Sequence, residues 1–372
     1  MMMKKWHIRN NLTHQPGVVI SLLITLLVVT GFFKYHNNNY SYSLTNKEQQ
    51  LVSTLLQQPE TRYFGYYSVA LPAEFIPAPE MFMVIQGSDM TKIESKQQYY
   101  PPFEQFLDRY KEELKNTRPD SSDDAPYLKK TEILPSGMSG VLFERMEAQY
   151  YADVSRVLEA YKWDNGITFK IMMKARDGRS SKYDRDREIF KSSYRYDIPE
   201  KKSILLSVLS GLHPRKDNQR PQGNNLAIKY GQVKESLLGE YEMTVKYLNK
   251  YGIEINFSMD NGPYRETPLL KKDHRVMESS YGTTLCKGSR KVNGLDVVEW
   301  LVRENRVSEG IPMTSYTFTL IINEDRVGGV TPLEVNMIYT SQEKNADEIL
   351  SESELVAVWQ HITETLEYHK SW

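Results

Sequence analysis

Few residues of this chain have the types and spacing that catalysis or metal binding requires. The histidines in the part with a globular pattern are scattered singly, at His213, His274, His361 and His369. Zinc sites need ligands at short fixed spacings such as His-x-His or His-Glu-x-x-His, and neither occurs. The stretch "GMSGV" at 137–141 approaches a nucleophile elbow, but Val141 stands where the second glycine is required. A turn before a strand explains it better.

Phosphate-binding motifs are also missing. The sequence has no Gly-x-x-x-x-Gly-Lys loop and no Gly-x-Gly-x-x-Gly turn after a strand. The carboxylates Glu144, Glu147 and Glu299 fall on predicted strands, where charges normally mark the solvated face. We therefore expect a protein that is not an enzyme, with no catalytic residue, no cofactor and no metal site.

Two charged loops are the best candidates for contact with another protein. "RPDSSDDAP" at 118–126 is acidic at its centre, and "ARDGRSSKYDRDRE" at 175–188 mixes bases and acids around one tyrosine. Arginine and tyrosine often anchor protein interfaces, and loops on a rigid sheet commonly carry binding residues. Solvated loops are the alternative interpretation. The candidate partner-binding residues are Asp120, Asp123, Asp124, Arg179, Tyr183, Arg185 and Arg187.

Composition indicates a folded chain of two domains. The 372 residues are 40% hydrophobic and 26% charged, and a chain of this length can bury two cores of ordinary size. The formal net charge of -1 argues against a nucleic-acid binder, which needs a concentrated positive field. Because Cys286 is the only cysteine, no intramolecular disulfide can form and packing must provide the stability.

Alternating apolar residues predict antiparallel strands in both halves. "TRYFGYYSVALPAEF" at 61–75 indicates a strand, and Asn165-Gly166 is typical of a type I′ hairpin turn before the alternating strand at 167–173. The second half alternates at 316–322 and 333–339. An amphipathic helix ends each half, and the second begins with a capping box in which Ser351 precedes Glu354 by three residues.

These elements predict an α+β fold with two similar domains, each an antiparallel sheet with helices packed on it. The first domain spans residues 61–214 and the second spans 226–372. Between them lies a linker at 215–225, within a polar stretch at 213–225 that contains no aliphatic residue. Residues 41–60 are expected to form a stalk.

The N-terminal 40 residues predict a basic cytoplasmic tail and a membrane anchor. Between Gly17 and Phe33 no residue is charged, and as a helix this run spans roughly 26 Å. Gly17, Leu22, Leu26 and Phe33 would lie in that single transmembrane helix, with the rest of the chain outside the cytoplasm. A cleaved signal peptide is the alternative, although only the stretch at 29–31 approaches a cleavage pattern.

Four segments resemble the immunity proteins that are paired with lipase effectors of type VI secretion systems, in the fourth lipase class. These segments are "GYYSVALPAEF", which begins at Gly65, "NNLAIKYGQV" from Asn224, "VNGLDVVEWLV" with Gly294 and Glu299, and "LSESELVAVWQHITETL" from Leu350. Their order and spacing carry the resemblance, which runs from about residue 62 to residue 368.

The resemblance implies a single-pass protein of the bacterial inner membrane with the bulk of the chain in the periplasm. Its partners would be the membrane, through the N-terminal helix, and a cognate secreted phospholipase effector whose active site it blocks. Residues 226–372 would be the C-terminal immunity domain. The alternatives are a membrane-anchored periplasmic binding or assembly module without a toxin partner, which an apolar ligand-sized pocket would favour, and a lipid-cleaving enzyme.

Overall fold

The computed structural model describes residues 42–78, 82–85, 91–263, 267–273, 282–308, 310–326, 329–341 and 349–370. Within these ranges it contains five α-helices: α1 Asn46–Leu55, α2 Tyr100–Asn116, α3 Asp184–Ile189, α4 Ile198–Gly211 and α5 Glu352–Thr363.

The same ranges contain nineteen strands. In the first half they are β1 Pro59–Phe64, β2 Tyr67–Pro72, β3 Ile76–Pro77, β4 Phe82–Ile85, β5 Thr91–Gln97, β6 Leu128–Ile133, β7 Ser139–Met146, β8 Ser155–Asp164 and β9 Ile167–Arg176. In the rest of the chain they are β10 His213–Pro214, β11 Asn225–Ile228, β12 Gly231–Lys234, β13 Tyr241–Leu248, β14 Glu254–Asp260, β15 Gly282–Val292, β16 Leu295–Ser308, β17 Ile311–Ile322, β18 Leu333–Thr340 and β19 Glu367–Tyr368.

One antiparallel sheet of thirteen strands runs through both halves of the described chain. Its order is β15-β16-β17-β18-β14-β13-β4-β5-β9-β8-β7-β6, and β3 pairs with the end of β13. The halves join where β13 pairs with β4, with Glu242 opposite Val84 and Met243 opposite Met83. The prediction of a separate sheet in each domain is therefore wrong. An unpaired strand edge exposes a row of N–H and C=O groups, and pairing β4 with β13 satisfies both edges.

The strand order is the same in the two halves. The order β4-β5-β9-β8-β7-β6 corresponds strand by strand to β13-β14-β18-β17-β16-β15, and α4 follows β9 as α5 follows β18. Two related α+β halves therefore fit the structure, although they share one sheet. The β8–β9 turn is the predicted hairpin: Asn165 and Gly166 have φ values of +43° and +86°.

The transmembrane part of the predicted fold is not supported. No helix among the described residues is long and apolar enough to cross a membrane. The predicted anchor at 17–33, with Gly17, Leu22, Leu26 and Phe33, lies outside the described residues. Part of the predicted stalk at 41–60 is a helix, since α1 lies within it. This helix begins at a capping box made by Thr45 and Glu48.

The main core lies on one face of the sheet, where α1, α4, α5 and the small strands cover it. The predicted alternation is confirmed: Phe169, Ile171 and Phe318 are fully buried on the core face. The opening segment at 61–75 is a hairpin and not one strand, because Gly65, at φ +50°, turns the chain between β1 and β2.

The C-terminal helix joins the two ends of the described chain. As predicted, Ser351 and Glu354 form the capping box that begins α5. The Ser351 hydroxyl donates to Glu48 of α1 at 2.7 Å, and Tyr42 donates to Gln360 at 3.0 Å. Residues before the first strand are thereby held against the last helix.

The segment after α4 is built around a buried arginine. The Arg215 side chain is 2% exposed. Its guanidinium donates hydrogen bonds to six main-chain carbonyls, those of Tyr63, Lys216, Asp217, Gln219, Ile228 and Gly231, at 2.6 to 3.2 Å. Because these carbonyls belong to β1, to β11–β12 and to the segment itself, Arg215 ties the two halves together.

The single thiol is expected to be unreactive in the folded protein. Cys286 is buried on β15, and burial, together with the nearby Glu299 carboxylate, raises its pKa to about 12. Since the thiolate is the reactive form, iodoacetamide at pH 8 should label Cys286 only after denaturation. Mass spectrometry of native and guanidinium-treated samples measures this. Rapid labelling of the native protein would show that β15 opens readily.

Candidate functional site

Three loops meet at one end of the sheet in the first half. They are residues 118–126, which lead into β6, residues 147–153, which join β7 to β8, and residues 177–197, which follow β9. Antiparallel pairing brings the loop-bearing ends of these strands to the same end of the sheet, since Leu128 lies opposite Arg145 and Ser155 lies opposite Arg176. We call these three loops together the loop platform.

Asp153 is the centre of the loop platform. Its carboxylate accepts hydrogen bonds from the Tyr183 hydroxyl at 2.6 Å and from Lys129 at 3.3 Å, and it forms an ion pair with Lys182 at 2.9 Å. Lys182 also contacts the Asp124 carboxylate at 2.6 Å. Lys182 therefore connects all three loops, because Asp124, Asp153 and Lys182 come from different ones.

The protonation states in this network are fixed by its geometry. Burial alone would raise the pKa of Asp153, but the bonds from Tyr183 and Lys182 and the Arg156 and Lys129 charges outweigh it and lower that pKa. Burial, and then the bond to Asp153, raises the pKa of Tyr183. At neutral pH Asp153 is ionised and Tyr183 keeps the proton that it donates.

The structure places the sequence-predicted residues in two different settings. Asp124 and Tyr183 point into the network, and Tyr183 is buried. Arg187 is half-buried and donates to the Gly178 carbonyl and the Asp184 carboxylate. The others lie on the outer surface, where a partner can reach them: Asp120, Asp123, Arg179 and Arg185. The structure thus brings the two charged loops together through Lys182.

Sequence reasoning missed the exposed apolar side chains of the loop platform. The rings of Tyr150 and Tyr151 lie 4.7 Å apart, tilted by 41°, in the β7–β8 loop, and Tyr150 is 73% exposed. Ile189 and Phe190 are 60% and 56% exposed. The sequence does contain a signal for Tyr150 and Tyr151, since two adjacent tyrosines in a polar stretch between two strands are typical of an exposed aromatic pair. Exposed aromatic side chains beside arginines are the composition of binding hot spots.

We expect Asp153→Asn to weaken the loop platform. The change leaves Lys129, Arg156 and Lys182 without the carboxylate that they share, so unfolding at pH 7 should become easier by about 2 kcal/mol. Denaturant titration of the variant and of native protein measures this. Asp296→Asn, which removes an exposed carboxylate on a surface pair with Lys291, is the control and should change little.

The difference in unfolding free energy between native protein and Asp153→Asn should depend on pH. Because folding lowers the pKa of Asp153, its stabilising contribution is complete above the ordinary aspartate pKa of about 4. The contribution decreases below that pH and is lost as pH falls through the folded-state pKa. A stability difference between native protein and Asp153→Asn that stayed constant into strong acid would contradict this assignment.

Two buried carboxylates outside the loop platform have structural roles. Glu299 is buried, against the expectation that it marks a solvated face, because Arg290 pairs with it at 2.7 Å and the Trp359 indole N–H donates to it at 3.1 Å. In the first half Glu159 is buried in the same way by Arg145 and Tyr110. Among the described residues, no group of three His, Cys, Asp or Glu could hold a metal ion.

Apart from the loop platform, a concave surface lies beside the junction of the halves. It is a cavity of about 510 Å³ whose lining includes the polar side chains of Gln97, Gln98, Asn165, Lys216 and Gln219. An apolar ligand-sized pocket would favour a binding module, whereas this lining mixes polar and charged side chains with Tyr99, Ile167 and Pro214.

The chain matches two domain models of one family. Residues 60–215 match the "Tle cognate immunity protein 4 N-terminal domain" and residues 220–371 match the corresponding C-terminal domain. A comparison with curated proteins found no match.

Solved structures of immunity proteins share the fold. The apo structure of the immunity protein TplEi of T6SS from Pseudomonas aeruginosa is 16% identical, with a TM-score of 0.61 over 85% of this chain and 99% of that one. The Tle4-Tli4 complex gives 16% identity and a TM-score of 0.62 over 84% and 98%. TplEi complexed with the "L" peptide gives 15% identity and a TM-score of 0.55 over 84% and 99%.

Proposed function

This chain belongs to the Tle cognate immunity protein 4 family, a family of non-enzymatic immunity proteins against lipase effectors of type VI secretion systems, and from that premise we propose that it binds a phospholipase effector and blocks its active site. The observation that carries the proposal is the match of both domain models, in order, over almost all of the described chain. One solved relative is a complex of Tle4 with Tli4.

The loop platform supports the proposal because it combines exposed hot-spot side chains with a fixed base. Asp153, Lys182 and Tyr183 hold its three loops together, so little side-chain freedom is left to lose on binding. Tyr150, Phe190 and Arg179 point outward on that base. A rigid, charged and partly aromatic surface is suited to tight recognition of another protein.

The continuous sheet supports a single-body mode of binding. Pairing of β4 with β13 and the carbonyl contacts of Arg215 hold the halves in one arrangement. A partner that contacts both halves would therefore meet a preformed surface, without the entropy cost of ordering a flexible linker. The segment at 213–225 thus acts as part of the scaffold.

We further propose that the folded part acts in the periplasm, beside the bacterial inner membrane. The support is the basic N-terminal tail with Lys4, Lys5 and Arg9, followed by the uncharged run at 17–33, which is typical of sequences that direct export. Fractionation of cells that express the full chain tests this. Protease-sensitive protein in spheroplasts is the expected result, and protein found only in the cytosolic fraction would contradict it.

Protection of cells tests the proposed function. Cells that export the cognate lipase effector should lyse, and co-expression of the full chain should restore growth. A lipase with its nucleophilic serine replaced by alanine is the control for toxicity and should not lyse the cells. In a pull-down, the tagged chain should capture this inactive lipase. Lysis despite full expression, together with no capture of the inactive lipase, would overturn the proposal.

A further inference from the structure

The last part of the loop platform contains a basic pocket. Its cavity of about 360 Å³ is lined by Arg179, Arg187, Lys191, Arg195 and two tyrosines, Tyr194 and Tyr196, with Gly178 at its base. Among the described residues that line it there are four cationic side chains and no carboxylate. Three of these cations already pair with carboxylates just outside the lining, Arg179 with Asp177, Arg187 with Asp184 and Arg195 with Asp197. Lys191 therefore carries the positive charge that can attract an anionic group.

The pocket is preformed by contacts between its two chain segments. The Gly178 N–H donates to the Arg195 carbonyl at 3.1 Å, and Asp177 pairs with Tyr196. A Cβ at Gly178 would lie 1.8 Å from the Tyr194 carbonyl oxygen, so the approach of the segments requires glycine at this position. The pocket therefore keeps its shape without a bound partner.

The arginines in the pocket are held in fixed orientations. Arg179 grips Asp177 with two bonds of 2.8 and 2.9 Å, and its guanidinium carbon lies 3.7 Å from the centre of the Tyr196 ring. Arg187 donates to the Gly178 carbonyl. Lys191 is exposed and has no ion-pair partner among the described residues, so its charge is available to an incoming group.

The surroundings favour a protein partner over a lipid surface. Ile189 and Phe190 are exposed next to the pocket in sequence, and apolar side chains around a charged contact exclude water from it. The acidic loop that carries Asp120 and Asp123 is joined to the same platform by Lys182. Its negative charge would oppose a close approach to an anionic bilayer.

We propose that this pocket receives an aspartate or glutamate side chain of the lipase effector, with Phe190 packing against an apolar neighbour of that carboxylate. The inference rests on the proposed function and names the chemistry of one contact within it. Guanidinium and ammonium groups form strong charge-assisted hydrogen bonds with carboxylates. Here the three guanidinium groups are held in place by their own carboxylates before the incoming carboxylate arrives, and Lys191 supplies the charge that is unpaired among the described residues.

Charge reversal at Lys191 tests the inference. Purified full chain, Lys191→Glu and Phe190→Ala are compared for binding to the inactive lipase by calorimetry at low and moderate salt. We expect Lys191→Glu to raise Kd by about 10- to 100-fold and to make Kd change less between low and moderate salt. Phe190→Ala should raise Kd by about tenfold. Lys47→Glu reverses an exposed lysine on α1 and should bind like the native chain. Unchanged melting curves verify folding.

A charge swap identifies the partner group. Lysine substitutions of exposed acids on the lipase should include one that restores the affinity of Lys191→Glu. If native chain binds the lipase and Lys191→Glu binds it equally well, the pocket inference is wrong and the proposed function stands. If Lys191→Glu loses only binding to anionic phospholipid vesicles, the pocket serves a lipid and the inference is also wrong. If native chain does not bind the lipase at all, both proposals fail.

Discussion

Arg215→Met is expected to lower the free energy of unfolding by about 3 to 5 kcal/mol, because it leaves buried main-chain carbonyls without donors. Six carbonyls now share the five N–H groups of this guanidinium, and methionine retains only its apolar length. Arg215→Lys should recover only a small part of the loss, since an ammonium cannot reach carbonyls in so many directions. Urea titration followed by circular dichroism measures all three proteins.

The same variant should loosen the connection between the halves. Limited proteolysis should cut the segment at 213–225 in Arg215→Met and leave it intact in the native protein. Lys216→Met, which changes the exposed neighbour, is the matched control and should alter neither stability nor cleavage. Native-like stability of Arg215→Met would mean that the segment is a flexible linker after all.

Trp359→Ala is expected to destabilise the protein by about 4 kcal/mol. Trp359 lies on α5 with its indole fully buried. The ring packs edge-on to Phe318 at 6.0 Å and donates its N–H to the buried Glu299. Its removal creates a cavity and also deprives a buried carboxylate of one donor. Thermal unfolding followed by calorimetry should show a correspondingly lower Tm.

Two companion variants separate the causes of this loss. Trp359→Phe keeps an aromatic ring but not the N–H, so it should cost about 1 to 3 kcal/mol through the unsatisfied Glu299 oxygen and the smaller ring. Tyr99→Ala removes an aromatic side chain that is 82% exposed and should change the Tm little. A Trp359→Ala protein with the Tm of the native chain would contradict the packing described for α5.

Local structure was predictable where neighbouring residues decide it. Asn165-Gly166 sets a tight turn by its own backbone preferences, and Ser351 with Glu354 caps a helix within one turn. The alternation in β9, β17 and β18 indicated which side chains are buried because one face of each strand packs on the core. These signals need no knowledge of distant parts of the chain.

Pairings between distant residues could not be predicted in the same way. β4 is four residues long, and nothing in its sequence identifies β13 as its neighbour more than 150 residues later. Glu299 is buried because Arg290 and Trp359 compensate its charge, and only the tertiary fold brings Trp359 there. Polar residues around Arg215 indicated a linker, since composition alone does not distinguish solvated polar groups from buried, hydrogen-bonded ones.

The candidate site shows the same division. Charge and composition identified both loops and their arginines, but not that Lys182 connects them through Asp124 and Asp153. The sequence predicts Tyr183 as a contact residue, whereas in the structure its hydroxyl donates to Asp153, and Tyr150 and Phe190 lie exposed on the surface. Whether a side chain holds a loop or meets a partner depends on its neighbours in space.

The most direct test of the central claim is a titration of the lipase effector with the purified full-length chain while phospholipid hydrolysis is followed. An immunity protein that must act at low concentration needs nanomolar affinity, about 12 kcal/mol of binding free energy. We predict that activity falls linearly and is abolished at one molar equivalent of the chain. Full lipase activity in a large molar excess of correctly folded chain would contradict the account.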